Sequence, residues 1–191
     1  MHIIKSFPDV DNYVRLFTPS GKKSRNNKWS VNVVDMFTHG YCYNFAKALW
    51  MAFRYKYKCT VVGCGNLLVG QASLINRQAI VRAINSYDFN HYMCLIESRK
   101  KPNHKCLYDI YGAWDINEDK DKKVLLLDTP KAKLKFKDDM ANMSDEEFMA
   151  TYPHENCWAW RVIYCLSNTD QQKAERCLYQ RDIAEQVTST Q

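Results

Sequence analysis

At 191 residues, with 46% hydrophobic and 25% charged residues, the chain has the composition of an ordinary globular domain, long enough to bury a sizeable core without covalent staples. Five Trp, twelve Tyr and eight Phe supply large apolar area, whereas six Gly and five Pro are too few for a linker-rich or disordered chain. The formal charge of +6 is offset by 21 acidic residues, and no RNA-binding or helix-turn-helix signature accompanies the basic clusters Lys22 to Lys28 and Arg99 to Lys101, which read as solvated surface.

Residues 1–38 carry mixed signals, predicting loop with short strands near His2 to Ser6 and Val31 to Met36. From Tyr43 to Lys56 there is no Gly or Pro, and Phe45, Ala46, Leu49 and Phe53 recur at helical spacing, which predicts a helix with a broad buried face. Cys42 precedes it on the same stripe and is expected at the helix start, facing the interior. A strand is expected over 58–63, a loop marked by Gly63, Gly65 and Gly70, and a helix over 72–84. Phe89 to Glu97 and Lys105 to Tyr111 read as a hairpin around the polar turn Ser98 to His104. Strands follow at Val124 to Leu127 and Ala132 to Phe136, then a short helix from Asp145 capped by the Ser144/Glu147 box. A strand over 157–166 places Trp158, Trp160, Val162 and Tyr164 on one face, and a terminal helix over 170–186 is capped by Asn168 or Thr169. This order predicts a single α+β domain over 1–191, a Cys-bearing helix in the N-terminal half packed on a mostly antiparallel sheet, closed by a C-terminal helix.

The longest apolar runs are too short to cross a bilayer. The first residues lack the basic start, apolar stretch and cleavage site of a secretory signal. A cytoplasmic location without membrane partners is the expectation. The eight cysteines are then mostly reduced. Cys59, Cys94, Cys106, Cys157 and Cys165 lie in strand-like runs, where a thiol acts as a small buried hydrophobe.

Cys42 has a different setting. The positive end of a helix favours a thiolate, and a base is needed to hold or remove its proton. His91 at the start of a strand is the candidate base. Pairing Glu97 with Lys105 brings residues near 91–93 opposite those near 109–111, so Asp109 becomes the group that orients the imidazole. His91 and Asp109 both fall on the odd-numbered face with Met93, Leu95 and Leu107.

The segments Gly40-Tyr-Cys-Tyr-Asn-Phe-Ala-Lys-Ala-Leu, His91-Tyr-Met-Cys-Leu-Ile and Leu107-Tyr-Asp-Ile-Tyr-Gly resemble, in their order, papain-like cysteine enzymes. More narrowly they are similar to the bacterial and phage members of that fold and to transglutaminase-like proteins, in which Cys starts a helix and His and Asp lie on consecutive strands. The resemblance spans Gly40 to Gly112, with a papain-like core over roughly 30–166. It implies a cysteine hydrolase (peptidase, amidase or deamidase) with the triad Cys42, His91 and Asp109, a thioester intermediate, a protein or peptide substrate and no cofactor or metal. It also suggests a phage or bacterial source, and a host cytoplasm if phage-encoded. Papain-type enzymes place a Gln shortly before the Cys, and Met36 to His39 contains none. The Cys42 amide, with Asn32 or Thr38, is left to form the oxyanion hole.

Other readings compete. His39 is an alternative base or metal partner of Cys42. His91, Cys94, His104 and Cys106 are acceptable zinc ligands, but residues 91 and 94 of a regular strand face opposite sides. The segment Gly63 to Gly70 lacks the ending of a phosphate-binding loop. An interaction protein on a papain-like scaffold, binding a host protein or nucleic acid through the basic loops, is the non-enzymatic alternative.

Overall fold

Two stretches rich in β-branched, aromatic and cysteine residues form the middle of a six-stranded sheet. They are β1 (Lys58–Leu68) and β2 (His91–Glu97). A computed structural model describes residues 6–17, 34, 36–38, 40–68, 73–86, 89, 91–101, 103–114, 116, 123–151 and 158–176. The remaining strands are β3 (Lys105–Asp109), β4 (Gly112–Trp114), β5 (Lys123–Leu127) and β6 (Trp158–Cys165). Their spatial order is β4-β3-β2-β1-β6-β5. Every pairing is antiparallel except β5 with β6. That parallel pair needs a crossover, which is supplied by two helices. They are named here with the others in chain order: α1 (Pro8–Arg15), α2 (Cys42–Phe53), α3 (Ser73–Ser86), α4 (Pro130–Asn142) and α5 (Asp145–Thr151). Residues 168–176 are also helical. The molecule is thus α+β with a mainly antiparallel sheet.

Alternation along the strands divides the sheet into two faces. Val61, Cys94, Ile96, Tyr108, Val162 and Tyr164 point to one side. There they pack with Val10 and Val14 of α1, Phe45 and Leu49 of α2, Ile84 of α3, Met140 of α4 and Phe148 of α5. Val62, Cys64, Met93, Leu95, Leu107 and Ile163 form a second cluster on the other side with Ile116. Among the described residues, helices contribute only to the first cluster.

The β2–β3 hairpin has the expected register, with Glu97 opposite Lys105 and Leu95 opposite Leu107. Its turn is closed by Ser98 N–H donating to the His104 carbonyl at 2.9 Å, while Ser98 Oγ accepts from the amides of Lys100 and Lys101. The Ser144/Glu147 capping box is also present in both directions.

Several elements differ from the sequence reading. Gly63 and Gly65 lie inside β1, which runs on to Leu68, and do not start a loop. The reason is packing. A Cβ on Gly63 would stand 2.6 Å from the ring of Phe89, which stacks on Tyr164 at 5.6 Å. Glycine makes room for an aromatic ring within the strand. Gly63→Ala is therefore expected to cost about 1–3 kcal/mol through overpacking, measurable as a lower urea midpoint with an unchanged slope. Ala132 to Phe136 belongs to helix α4, because Thr129 caps it by accepting from Ala132 N–H at 3.0 Å and Pro130 pre-sets its first turn. Its buried positions are Phe136 and Met140, four residues apart. Val34 and residues 36–38 are helical and not a strand. Ser167 caps the helix at 168–176, donating through its amide to Asp170 Oδ2 and accepting from Asp170 N–H; neither Asn168 nor Thr169 does so. The strand expected near His2, the basic stretch Lys22 to Lys28, and residues 177–186 lie outside the described residues.

Candidate active site

Cys42 is the first residue of α2, and the helix begins there without a side-chain cap on its first-turn amides. Those amides carry the positive end of the helix dipole. The helix packs on the sheet through Phe45, Ala46 and Leu49, and the Tyr43 ring meets Tyr92 edge-on at 5.4 Å. This contact lays the helix start against the first residues of β2. The thiol, 8% exposed, hydrogen-bonds there with the His91 side chain and with the backbone amides of Tyr92 and Tyr43.

His91 and Asp109 belong to the sheet face away from the helices, as their neighbours Met93 and Leu107 do. Cys42 therefore meets His91 around the end of the strand; α2 itself covers the opposite face. Asp109 ends β3, and the two-residue turn at Ile110 and Tyr111 pairs it with Gly112. Gly112 has φ of 111°, a conformation that L side chains rarely adopt. The carboxylate is 4% exposed and has three partners. Oδ2 accepts from His91 Nε2 at 3.1 Å, and Oδ1 accepts from the Tyr111 amide at 2.8 Å and from Trp114 Nε1 at 2.9 Å. With Nε2 engaged by Asp109, the ring nitrogen left for the thiol is Nδ1.

These contacts set the protonation states. For Cys42, burial opposes ionisation, but hydrogen bonds from His91 and the Tyr92 amide, together with the charge of His91, bring the thiol below its usual range. For His91, the hydrogen bond to Asp109 and then that to Cys42 outweigh burial and raise the imidazole to about 9. The two shifts describe one shared proton, drawn from the Cys42 thiol toward the His91 imidazole. Cys64, which faces His91 across β1 and β2, behaves in the opposite way: burial pushes its thiol up to about 12. Cys42, Cys59, Cys64, Cys94, Cys106 and Cys165 are all free thiols.

Other residues considered from sequence stand apart. Thr38 Oγ1 donates to the Val34 carbonyl at 2.7 Å, so its proton is committed within its own helical turn. Asn32 and His39 lie outside the described residues. The four zinc candidates do not converge. Cys94 is in the cluster on the helix side of β2 while His91 faces the other way, His104 stacks on Phe7 at 4.3 Å, and the Cys106 thiol donates to the Trp114 carbonyl. Among the described residues no three His, Cys, Asp or Glu side chains are grouped as metal ligands. Arg99 donates to the Arg54 carbonyl at 2.9 Å. Tyr164 is a core residue; the side chains of Trp158 and Trp160 lie outside the described residues.

Sequence reasoning did not single out Trp114, Cys64 or Arg161. With His91, Asp109 and Met93 they line a cavity of about 140 Å³ on the face away from the helices. Two signals were available for Trp114: its place two residues after a turn glycine, and the need of an indole N–H for a partner.

No protein-family model, curated protein or solved structure matches this chain. Among the described residues no helix is long and apolar enough to cross a membrane.

Proposed function

We propose that the protein is a cysteine-dependent acyl hydrolase of the papain-like or transglutaminase-like type, acting on a peptide bond or carboxamide. The observation that carries this reading is the unbroken contact from Asp109 through His91 to Cys42, with the thiol held low and the imidazole held high. Such an arrangement is what an activated thiol requires: a nucleophile, a base in contact with it, and a third group fixing the base.

The chemistry follows in two halves. The Cys42 thiolate attacks the acyl carbon, forming a C–S bond while the carbonyl oxygen takes up the electron pair. As the tetrahedral adduct collapses, the C–N bond breaks, and the imidazolium of His91 gives its proton to the departing amine or ammonia. A thioester remains. Water then attacks the same carbon, His91 takes its proton, and the thiolate leaves, releasing the carboxylic acid. Asp109 holds the ring through Nε2 in both halves. In place of an upstream Gln, the first-turn amides of α2 stabilise the oxyanion.

The test is alkylation with iodoacetamide at about pH 6, where ordinary thiols are protonated, followed by mass spectrometry. Cys42 is expected to react roughly tenfold faster than any other cysteine. Cys59 is the internal control, since its thiol is also lowered, chiefly by a hydrogen bond from Cys94 and also by the charge of Arg99. If Cys42 and Cys59 react alike, the enzyme reading fails. Turnover found in a screen of amide substrates is expected to fall at least a thousandfold in Cys42→Ala.

A further inference from the structure

Three free cysteines share the helix-covered face of the sheet: Cys59 on β1, Cys94 on β2 and Cys106 on β3. Cys59 pairs with Ile96, and Val61 pairs with Cys94. The two cysteines are therefore diagonal neighbours across antiparallel strands, with side chains on the same face. Their thiols are in contact. Cys94 donates a hydrogen bond to the Cys59 sulfur, and the Thr60 amide donates to that of Cys94. Cys106 is diagonal to Cys94 on the other side, but its thiol donates to the Trp114 carbonyl at 3.2 Å. The pair stands apart from the candidate active site. Cys59 lies opposite Ile96, five residues along β2 from His91, roughly 17 Å at the rise of a strand.

The two thiols differ in ways that suit a sequential reaction. Cys59 is half-buried, whereas Cys94 is fully buried. The hydrogen bond from Cys94, working against burial and helped by the charge of Arg99, brings the Cys59 thiol below its usual range. Burial, and then the contact with Cys59, hold the Cys94 thiol well above its own. A thiolate within reach of solvent thus has a protonated thiol against it, the setting in which an oxidised cysteine is resolved by its neighbour.

We propose that Cys59 and Cys94 form a peroxide-responsive dithiol, in which Cys59 is oxidised first and Cys94 closes a cross-strand disulfide with it. The Cys59 thiolate attacks one oxygen of a hydroperoxide, and the O–O bond breaks. Cys59 becomes a sulfenic acid, and the departing oxygen takes up a proton to leave as water when the oxidant is hydrogen peroxide. The Cys94 sulfur then attacks the Cys59 sulfur, forming the S–S bond as the S–O bond breaks, and its proton leaves with the oxygen as a second water. Two thiols lose two electrons, and the peroxide gains them. Diagonal partners stand about 7–8 Å apart at Cα, beyond the roughly 4.4–6.8 Å of a relaxed disulfide. Closure must draw β1 toward β2, and since Cys59 is the second residue of β1, the movement falls at a strand end. A bridge under such tension is readily reduced by an external dithiol, which makes the modification reversible.

The test exposes the full chain to hydrogen peroxide, blocks remaining thiols with N-ethylmaleimide, and maps peptides by mass spectrometry without reduction. The expected result is a peptide pair joined through Cys59 and Cys94, two hydrogen masses lighter than the separate thiols and separated by dithiothreitol. In Cys94→Ala the sulfenic acid has no resolving partner, and dimedone capture of Cys59 should rise about tenfold. In Cys59→Ala the buried Cys94 should stay a thiol. The bridge should persist in Cys42→Ala, because it does not depend on the nucleophile of the candidate active site; its loss there would show that Cys42 receives the oxidant and would overturn the assignment. Unchanged dimedone capture in Cys94→Ala, or a bridge from Cys94 to Cys106 instead, also overturns it. If Cys94→Ala fails to fold, the native map decides: Cys59 and Cys94 both left unbridged at a peroxide dose that oxidises Cys42 refutes the pair and leaves the thiol-enzyme reading untouched.

Discussion

Replacing His91 with alanine is expected to slow iodoacetamide capture of Cys42 at about pH 6 by roughly a hundredfold, the scale of losing a positioned base. In the native protein, burial works against the Cys42 thiolate, and the His91 contact is the first influence that overcomes it. Without the imidazole only backbone amides remain to favour the anion, and desolvation pushes the thiol back up. The pH profile gives the sign. His91 is raised in the folded chain to about 9, so its stabilising contribution is complete below the ordinary imidazole range and is lost as pH rises through about 9. Cys42 is lowered, so its contribution is present above the ordinary thiol range and is lost as pH falls through the folded value. The native protein should therefore label on a broad plateau that extends to the acid side of an ordinary thiol. His91→Ala should show a single rise at or above the usual thiol range. His91→Gln, which preserves more of the side-chain volume, checks that the loss is not one of packing. Superimposable profiles for native protein and both variants would show that His91 does not govern the thiol.

How much of this was legible in the sequence depends on how local each signal is. The β2–β3 register could be read because Ser98 to His104 forms a self-contained turn, stabilised by its own backbone and by Ser98 Oγ. The short helix α5 could be read because a capping box is complete within four residues. Gly63 was misread because its reason is tertiary: only the fold brings the Phe89 ring against it. Ala132, Leu134 and Phe136 alternate with lysines and mimic a strand, yet Thr129-Pro130 just before them is a helix start and proved the stronger local signal.

The candidate site shows the same division. The mutual approach of His91 and Asp109 followed from hairpin register, a two-strand property. The position of Cys42 did not follow from register at all. Sequence periodicity implied a helix packed on the sheet without fixing which face it covers; the helix rests on the face away from the dyad and its first residue meets His91 at the strand end. Among the described residues that detail leaves the dyad's own face free of helices, where a cavity is lined by Arg161, a residue 70 positions away in sequence from His91 but separated from it by a single strand. No spacing rule links the two, since β1, which brings them together, precedes both.

Asp109→Ala is expected to destabilise the fold by about 3–5 kcal/mol, the usual consequence of removing one partner from a buried charged pair. The carboxylate is the shared acceptor for His91 Nε2, the Tyr111 amide and Trp114 Nε1. Truncation leaves all three donors without it, two of them on the short β3–β4 hairpin that forms one edge of the sheet. For a chain of this size the melting temperature should fall by roughly 10 °C. Asp109→Asn separates structure from electrostatics. The amide oxygen still accepts from the hairpin side, so the fold should lose much less. The negative charge is gone, however, and an amide presents N–H where His91 needs an acceptor. The imidazole then loses the largest cause of its elevation, and its own titration, followed by NMR, should move down from about 9. A melting temperature in Asp109→Ala within a degree or two of the native value would remove the structural claim. An imidazole titration unmoved in Asp109→Asn would show that the carboxylate braces the hairpin without setting the charge state of His91. The joint outcome, a large stability loss in one variant and a displaced imidazole titration in the other, assigns Asp109 both tasks: it braces the turn that presents it, and it sets the charge state of the His91 ring that the thiol meets.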